Sequence, residues 1–129
     1  MPAAQRPTLP DRGDIITFNL SAGAGSGRIN GLHDCIVISH RVQHERINMG
    51  IVIPTSSSKT AAAKLGKLAV KLPPLPNMAK EGWAHLHQIQ SVDFDDIRFS
   101  VKSRIDPDDE QQQAWLEDLI DRLFDLVAG

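Results

Sequence analysis

Apolar positions along this chain fall in short runs divided by polar or Gly/Pro-rich breaks, the pattern of a small sheet and not of a helical bundle. In Gly13 to Leu20 (GDIITFNL), Ile16, Phe18 and Leu20 alternate with Ile15, Thr17 and Asn19, which predicts a first strand. The glycine-rich stretch 21–31, SAGAGSGRING, has no hydrophobic period and reads as a mobile loop of the kind that covers sites. CIVIS (35–39) and INMGIVIP (47–54) are continuous apolar runs, as expected of central strands buried on both faces. Residues 55–72 fit a short helix followed by a strand, and PPLPN (73–77) must break the chain because proline cannot donate to a ladder. Two more strands are predicted at 83–92 and 96–105, the second from the alternation of Ile97, Phe99, Val101 and Ile105 with Arg98, Ser100, Lys102 and Arg104.

The last segment carries helix signals. Asp106 is a good N-cap, Pro107 suits the first helical position, and Asp108, Asp109 and Glu110 sit where the helix dipole favours negative charge. Trp115, Leu116, Leu119, Ile120, Leu123, Phe124 and Val127 then form one stripe opposite Glu117, Asp118, Asp121, Arg122 and Asp125. Short strands followed by such a helix predict a mainly β protein with helices: a small antiparallel SH3-like barrel closed by the amphipathic C-terminal helix. With 129 residues, a single domain over 1–129 is expected, the proline-rich residues 1–11 forming a flexible N-terminal segment.

Composition narrows the class. At 41% hydrophobic and 23% charged the chain is ordinary for a globular protein, and no window approaches the apolar length that spans a bilayer. A cytoplasmic, membrane-free location is expected; the single cysteine, Cys35, excludes an internal disulfide and lies in an apolar run as a small core residue. Residues 106–129 hold eight acids and one arginine, net −7, and the first 105 hold thirteen bases and eight acids, net +5. A basic body of that kind can bind a polyanion, although solvated faces give the same statistics.

Candidate chemistry centres on GWAHLHQIQSVDF (82–94), where His85 and His87 stand two apart and, in an extended chain, would share one face. The order of parts is informative: a "GDI" strand, a Gly-rich loop, a strand ending "VIS", a "VIP" strand leading into "TSS", a strand with "HQIQSVD" and an amphipathic C-terminal helix. Together, over residues 12–128, they resemble the MazF/PemK family of toxin endoribonucleases. The resemblance implies a dimeric barrel that cuts single-stranded RNA without a metal or other cofactor and is held inactive by a cognate antitoxin, within a type II toxin–antitoxin system.

Two departures from the family pattern matter. Where relatives carry an arginine and a proline before the "VIS"-like strand, this chain has His33 and Asp34; where the PemK branch carries an arginine and an aspartate two apart before the glutamine, it has His85 and His87. The polar residue after the second buried strand matches Ser56, with Thr55 as an alternative. Metal-free RNA cleavage needs a base for the 2′-hydroxyl, an acid for the departing 5′-oxygen and a donor to the phosphorane, and imidazole can serve in each role. The expected site is therefore His33, His85 and His87 with Ser56 bonding the phosphate, giving 2′,3′-cyclic phosphate and 5′-hydroxyl ends.

Arg28, Thr55, Lys67, Lys71 and Arg98 are the expected RNA contacts, with Arg41, Arg46 and Lys102 as further cations and Trp83 either stacking on a base or packing in the core. Three imidazoles also match a zinc ligand set, although no motif such as HExxH is present. Functions of other classes stay open: a CcdB-like poison of a protein target such as gyrase, whose tryptophan-bearing C-terminus is unlike the DLVAG ending here, or a catalytically silent relative that binds only RNA or antitoxin.

Overall fold

The computed structural model describes residues 9–20 and 31–128. In chain order the elements are β1 (Asp14–Leu20), β2 (Gly31–Val37), α1 (Arg41–Ile47), β3 (Met49–Ser56), α2 (Lys59–Leu65), β4 (Ala69–Lys71), β5 (Trp83–His85), β6 (Gln90–Asp93), β7 (Ser100–Arg104) and α3 (Glu110–Ala128). All ladders are antiparallel, in the order β4-β5-β3-β2-β1-β7, with β6 also on β3.

The longest strand, β3, serves two partners beside β2: Met49–Val52 face β6, and Thr55–Ser56 face β5. That split bends the sheet, as does a register shift between Ile15 and Ile16 where β1 meets β7. No ladder among the described residues joins the two ends, so the expected SH3-like barrel is a curved, barrel-like sheet left open, with α3 laid on it.

The pleat sends alternate residues to two cores. Ile15, Ile36, Ile53 and Ala84 pack with Leu116, Leu119 and Leu123 of α3, while Ile16, Phe18, Leu20, Cys35, Val37 and Val52 pack with Val92 and Phe94. Leu119 is fully buried, and a side chain of its size contributes about 1.5–3 kcal/mol on burial. The stripe expected on α3 thus docks through three leucines with Trp115 and Ile120 at its edge, and Phe124 remains 67% exposed.

Besides β2, which begins at Gly31 and not at residue 35, and β3, which is shifted by two residues from 47–54, three boundaries and one element differ from the sequence reading. The segment 83–92 is not one strand: β5 ends at His85, Leu86–Gln88 turn as a 3-10 helix, and β6 resumes at Gln90. The strand expected at 96–105 begins only at Ser100, because Asp96 N and Ile97 N both bond the Asp93 carbonyl in a turn. Asp106 is not the N-cap of α3; Asp109 Oδ1 accepts from Gln111 N at 2.9 Å and Gln112 N at 3.1 Å, and the helix starts one residue on. Helix α1 was not anticipated at all. The loop expected at 21–31 lies, apart from Gly31, outside the described residues, as does most of the N-terminal segment 1–11.

Candidate active site

Three strand ends build the site. β2 carries His33 and Asp34, β3 ends in Thr55 and Ser56, and β5 brings Trp83 opposite Ser56 and ends in His85. Trp83 and His85 are two apart on one strand and so share a face. His87 reaches the site differently from expectation: the 3-10 turn and not a continued strand carries it back over His85, so that the two rings stack with centroids 6.0 Å apart and planes 19° from parallel.

His85 is 4% exposed, and its Nε2 is buried with no hydrogen-bond partner among the described residues. An unpaired buried polar atom costs about 1–3 kcal/mol, so its retention needs a reason. Burial lowers the pKa of His85, and the positive charges of His87 and then His33 lower it further. The ring is therefore held neutral at neutral pH.

His33, half-buried on β2, has Nδ1 3.2 Å from the Thr55 carbonyl oxygen. A carbonyl only accepts, so in neutral His33 the proton resides on Nδ1, and Nε2 presents its lone pair. The Thr55 residue that sets this tautomer is buried; its hydroxyl donates to the Asp34 carbonyl at 2.9 Å and is used up within the sheet. Ser56 is half-buried, and its Oγ accepts from Ser58 N at 3.2 Å, which leaves its own proton for another acceptor.

A cleft of ≈ 500 Å³ opens beside these strand ends, bordered by His33, Ser56 and the 77–82 segment. Not every expected RNA contact lies there. Lys71 ion-pairs with Glu81 at 3.1 Å, and Lys67 borders a separate depression with Arg122 and Asp125. Arg98 is exposed in the segment before β7, and Trp83 is half-buried beside Ser56. Arg28 lies outside the described residues.

Among the described residues no group of three His, Cys, Asp or Glu side chains is disposed to hold a metal, so the three imidazoles do not form a ligand set. Cys35 is fully buried, and burial together with the Asp34 charge pushes its thiol up to about 12, which suits packing and not nucleophilic attack.

One feature of the cleft was missed from sequence. Asp34, taken as half of a departure from the family pattern, accepts from Thr17 Oγ1 at 2.7 Å and from Lys102 Nζ at 3.0 Å, joining β2, β1 and β7. Only the alternation at 100–104 pointed to it, by putting Lys102 on a strand.

A small open sheet with a C-terminal helix on one core and a histidine cluster at the strand ends defines the class of fold. The family follows directly: the sequence pattern of the PemK-like, MazF-like toxins of type II toxin–antitoxin systems matches residues 11–117, and the chain belongs to that family. None of the curated proteins matches it. Among solved structures, MazF of Deinococcus radiodurans superposes with a TM-score of 0.75 at 19% identity over 95% of this chain and 100% of that one. The MazE–MazF complex of the same organism (Form-II) gives 0.70 at 17% identity, over 95% and 98% of the two chains.

Proposed function

We propose that this toxin-family protein is an endoribonuclease that cuts single-stranded RNA by internal transesterification, using imidazoles where relatives use arginine. The observation that carries this reading is His85: buried, held neutral, unpartnered at Nε2 and stacked against a second imidazole. A structural histidine would have its nitrogens satisfied.

In the proposed reaction the Nε2 lone pair of His33 takes the proton of the 2′-hydroxyl, because Nδ1 is committed to the Thr55 carbonyl. The 2′-oxygen attacks the adjacent phosphorus, and the P–O5′ bond breaks. His87, exposed at the turn, donates the proton that leaves on the 5′-hydroxyl. His85 stays neutral and gives its unsatisfied Nε2 a partner in a phosphoryl oxygen, and the Ser56 hydroxyl donates to another. The products are a 2′,3′-cyclic phosphate and a 5′-hydroxyl, and no step calls for a metal.

The protein would act in the cytoplasm as a homodimer restrained by a cognate antitoxin. Support for an antitoxin comes from the structural likeness to MazF in complex with MazE, and a disordered acidic tail suits the net +5 of residues 1–105. No helix among the described residues is long and apolar enough to cross a membrane. Incubating purified protein with a defined RNA in the presence of EDTA, then mapping the ends, tests the reading. Cyclic phosphate and 5′-hydroxyl termini are expected. Intact RNA, or cleavage abolished by EDTA and restored by zinc, would refute it, and intact RNA with gyrase poisoned in a parallel assay would favour the CcdB-like alternative.

A further inference from the structure

The imidazoles supply proton transfer but leave a gap in charge. With His85 neutral, the cluster offers little fixed positive charge to hold a polyanionic strand. The cations expected to fill that role are engaged or sited elsewhere: Lys71 is paired with Glu81, Arg104 with Asp14, Arg41 with Asp11 and Glu45, and Lys67 borders the depression beside α3.

The cleft that His33 and Ser56 border carries charge of both signs. Its walls carry Lys80 and Lys102, and its two acids are both held in place. Glu81 lies between Lys59 at 3.4 Å and Lys71 at 3.1 Å, which hold its carboxyl below the usual range. Asp34 is held by Thr17 and Lys102. The lining itself balances, with Lys80 and Lys102 against Asp34 and Glu81, and because Lys59 and Lys71 outside it neutralise Glu81, the side of the cleft nearest Lys102 is not dominated by negative charge.

Lys102 is the one built for a ligand. Its side chain is 40% exposed, and its Nζ is steadied by a carboxylate that is itself only 18% exposed. Its backbone is tied from the other wall, where Asn77 Nδ2 donates to the Lys102 carbonyl at 3.3 Å. An ammonium has three donors; one serves Asp34, and two remain for the cleft. His33 and Asp34 are consecutive on β2 and so leave opposite faces of the strand, yet both border this cleft at the strand end.

We propose that this cleft is the track for the RNA flanking the cut, with Lys102 as its principal phosphate contact and Asp34 and Thr17 as positioning residues that hold the lysine there. The inference rests on the RNA-cleaving reading and adds to it the path of the substrate: the scissile phosphate on the imidazole side of the β2 end, the neighbouring phosphate on the lysine side. Lys80 is the second, weaker contact.

The test separates the two claims. Binding is measured with the whole 129-residue chain and a substrate RNA made uncleavable by a 2′-deoxy nucleotide at the mapped cut, across a salt series, while cleavage of the unmodified RNA is read in parallel. K102A is expected to bind about tenfold more weakly, as for loss of one charged hydrogen bond. Its log–log salt slope should be shallower by about 0.7, the value for one phosphate contact on a single strand. K102R should recover most of both, and D34N, which loosens the support of the ammonium, should bind more weakly than the parent although it removes a negative charge; binding as tight as the parent's would refute the positioning role of Asp34. Unchanged affinity and slope in a folded K102A that still cuts would overturn the track and leave Lys102 as a tie between β7 and β2. A parent protein that neither binds nor cuts RNA would overturn the enzymatic reading and this inference together.

Discussion

Two histidines of this chain are withdrawn from solvent, and only one of them is fully bonded. His44 on α1 has no exposed surface: its Nδ1 donates to the Pro10 carbonyl at 2.7 Å, and its Nε2 accepts from Ser39 Oγ at 2.6 Å. Ser39 Oγ in turn accepts from Ile51 N at 2.8 Å, and the ring meets Phe94 edge-on at 4.7 Å. Every hydrogen is accounted for, and the assembly ties the N-terminal residues, α1 and β3 together. His85, nearly as buried, leaves Nε2 without a partner among the described residues and stacks on the His87 ring. The first histidine is structure; the second keeps a buried ring nitrogen unbonded among the described residues, the feature on which the proposed catalytic role rests. Burial alone does not tell them apart, and the state of the nitrogens does.

The comparison can be broken in several ways. The largest expected effect is on His33, the base of the proposed reaction: His33→Ala should lower RNA cleavage by about 10²- to 10⁴-fold, with thermal stability close to that of the parent, measured as kcat/KM and Tm on the same sample. His44→Ala should do the reverse. Loss of a buried ring, with the Ser39 hydroxyl and Pro10 carbonyl left unpaired, should cost about 3 kcal/mol in denaturant unfolding and roughly 10 °C in Tm, while the activity of the molecules still folded is retained.

A milder perturbation of the same structural knot is Gly50→Ala. A Cβ there would lie 2.6 Å from Phe94 Cζ and 2.8 Å from His44 Nε2, so overpacking of about 1–3 kcal/mol is expected without loss of the catalytic groups. The smallest effect is on pH dependence. Burial lowers the pKa of both His44 and His85, so the unfolded chain binds more protons than the native one below the ordinary histidine pKa. The stabilisation from each is complete above about pH 6.5 and is lost as pH falls through the lowered folded values. Urea melts from pH 7.5 to 5 should show that loss in the parent and a shallower one in His85→Ala; identical slopes would mean that His85 is not held neutral in the native state.

Much of the framework was legible in the residues because hydrophobic runs and breakers report on the sheet directly. Strands expected at 13–20, 35–39 and 47–54 stand at 14–20, 31–37 and 49–56, the helix and strand expected within 55–72 at 59–65 and 69–71, and the PPLPN break and the leucine face of α3 follow from period and punctuation. Helix α1 was hidden because Val42 and Ile47, its apolar residues, point outward at 67% and 64% exposure, while its one buried residue is a polar histidine. No side chain caps it, so the usual start signal is missing as well. The break at Leu86–Gln88 was hidden for another reason: the alternation of Trp83, His85 and His87 is genuine in sequence, but the chain leaves the sheet after His85.

Of the site, the nearness of His85 and His87 was readable from their spacing, and the 3-10 turn that stacks their rings was not. Neither the Thr55 carbonyl that fixes His33 nor the Asp34–Lys102 pair can be read from spacing, because both join strands far apart in the chain.

The account turns on imidazole chemistry at β5 and the turn that follows it. Its most direct test compares the purified parent with a His85→Ala/His87→Ala double variant on one defined RNA in EDTA, with circular dichroism to establish that both are folded. The account predicts that the parent yields 2′,3′-cyclic phosphate ends and that the folded double variant is slower by about 10²-fold or more. Undiminished cutting at the same positions by the double variant would contradict it.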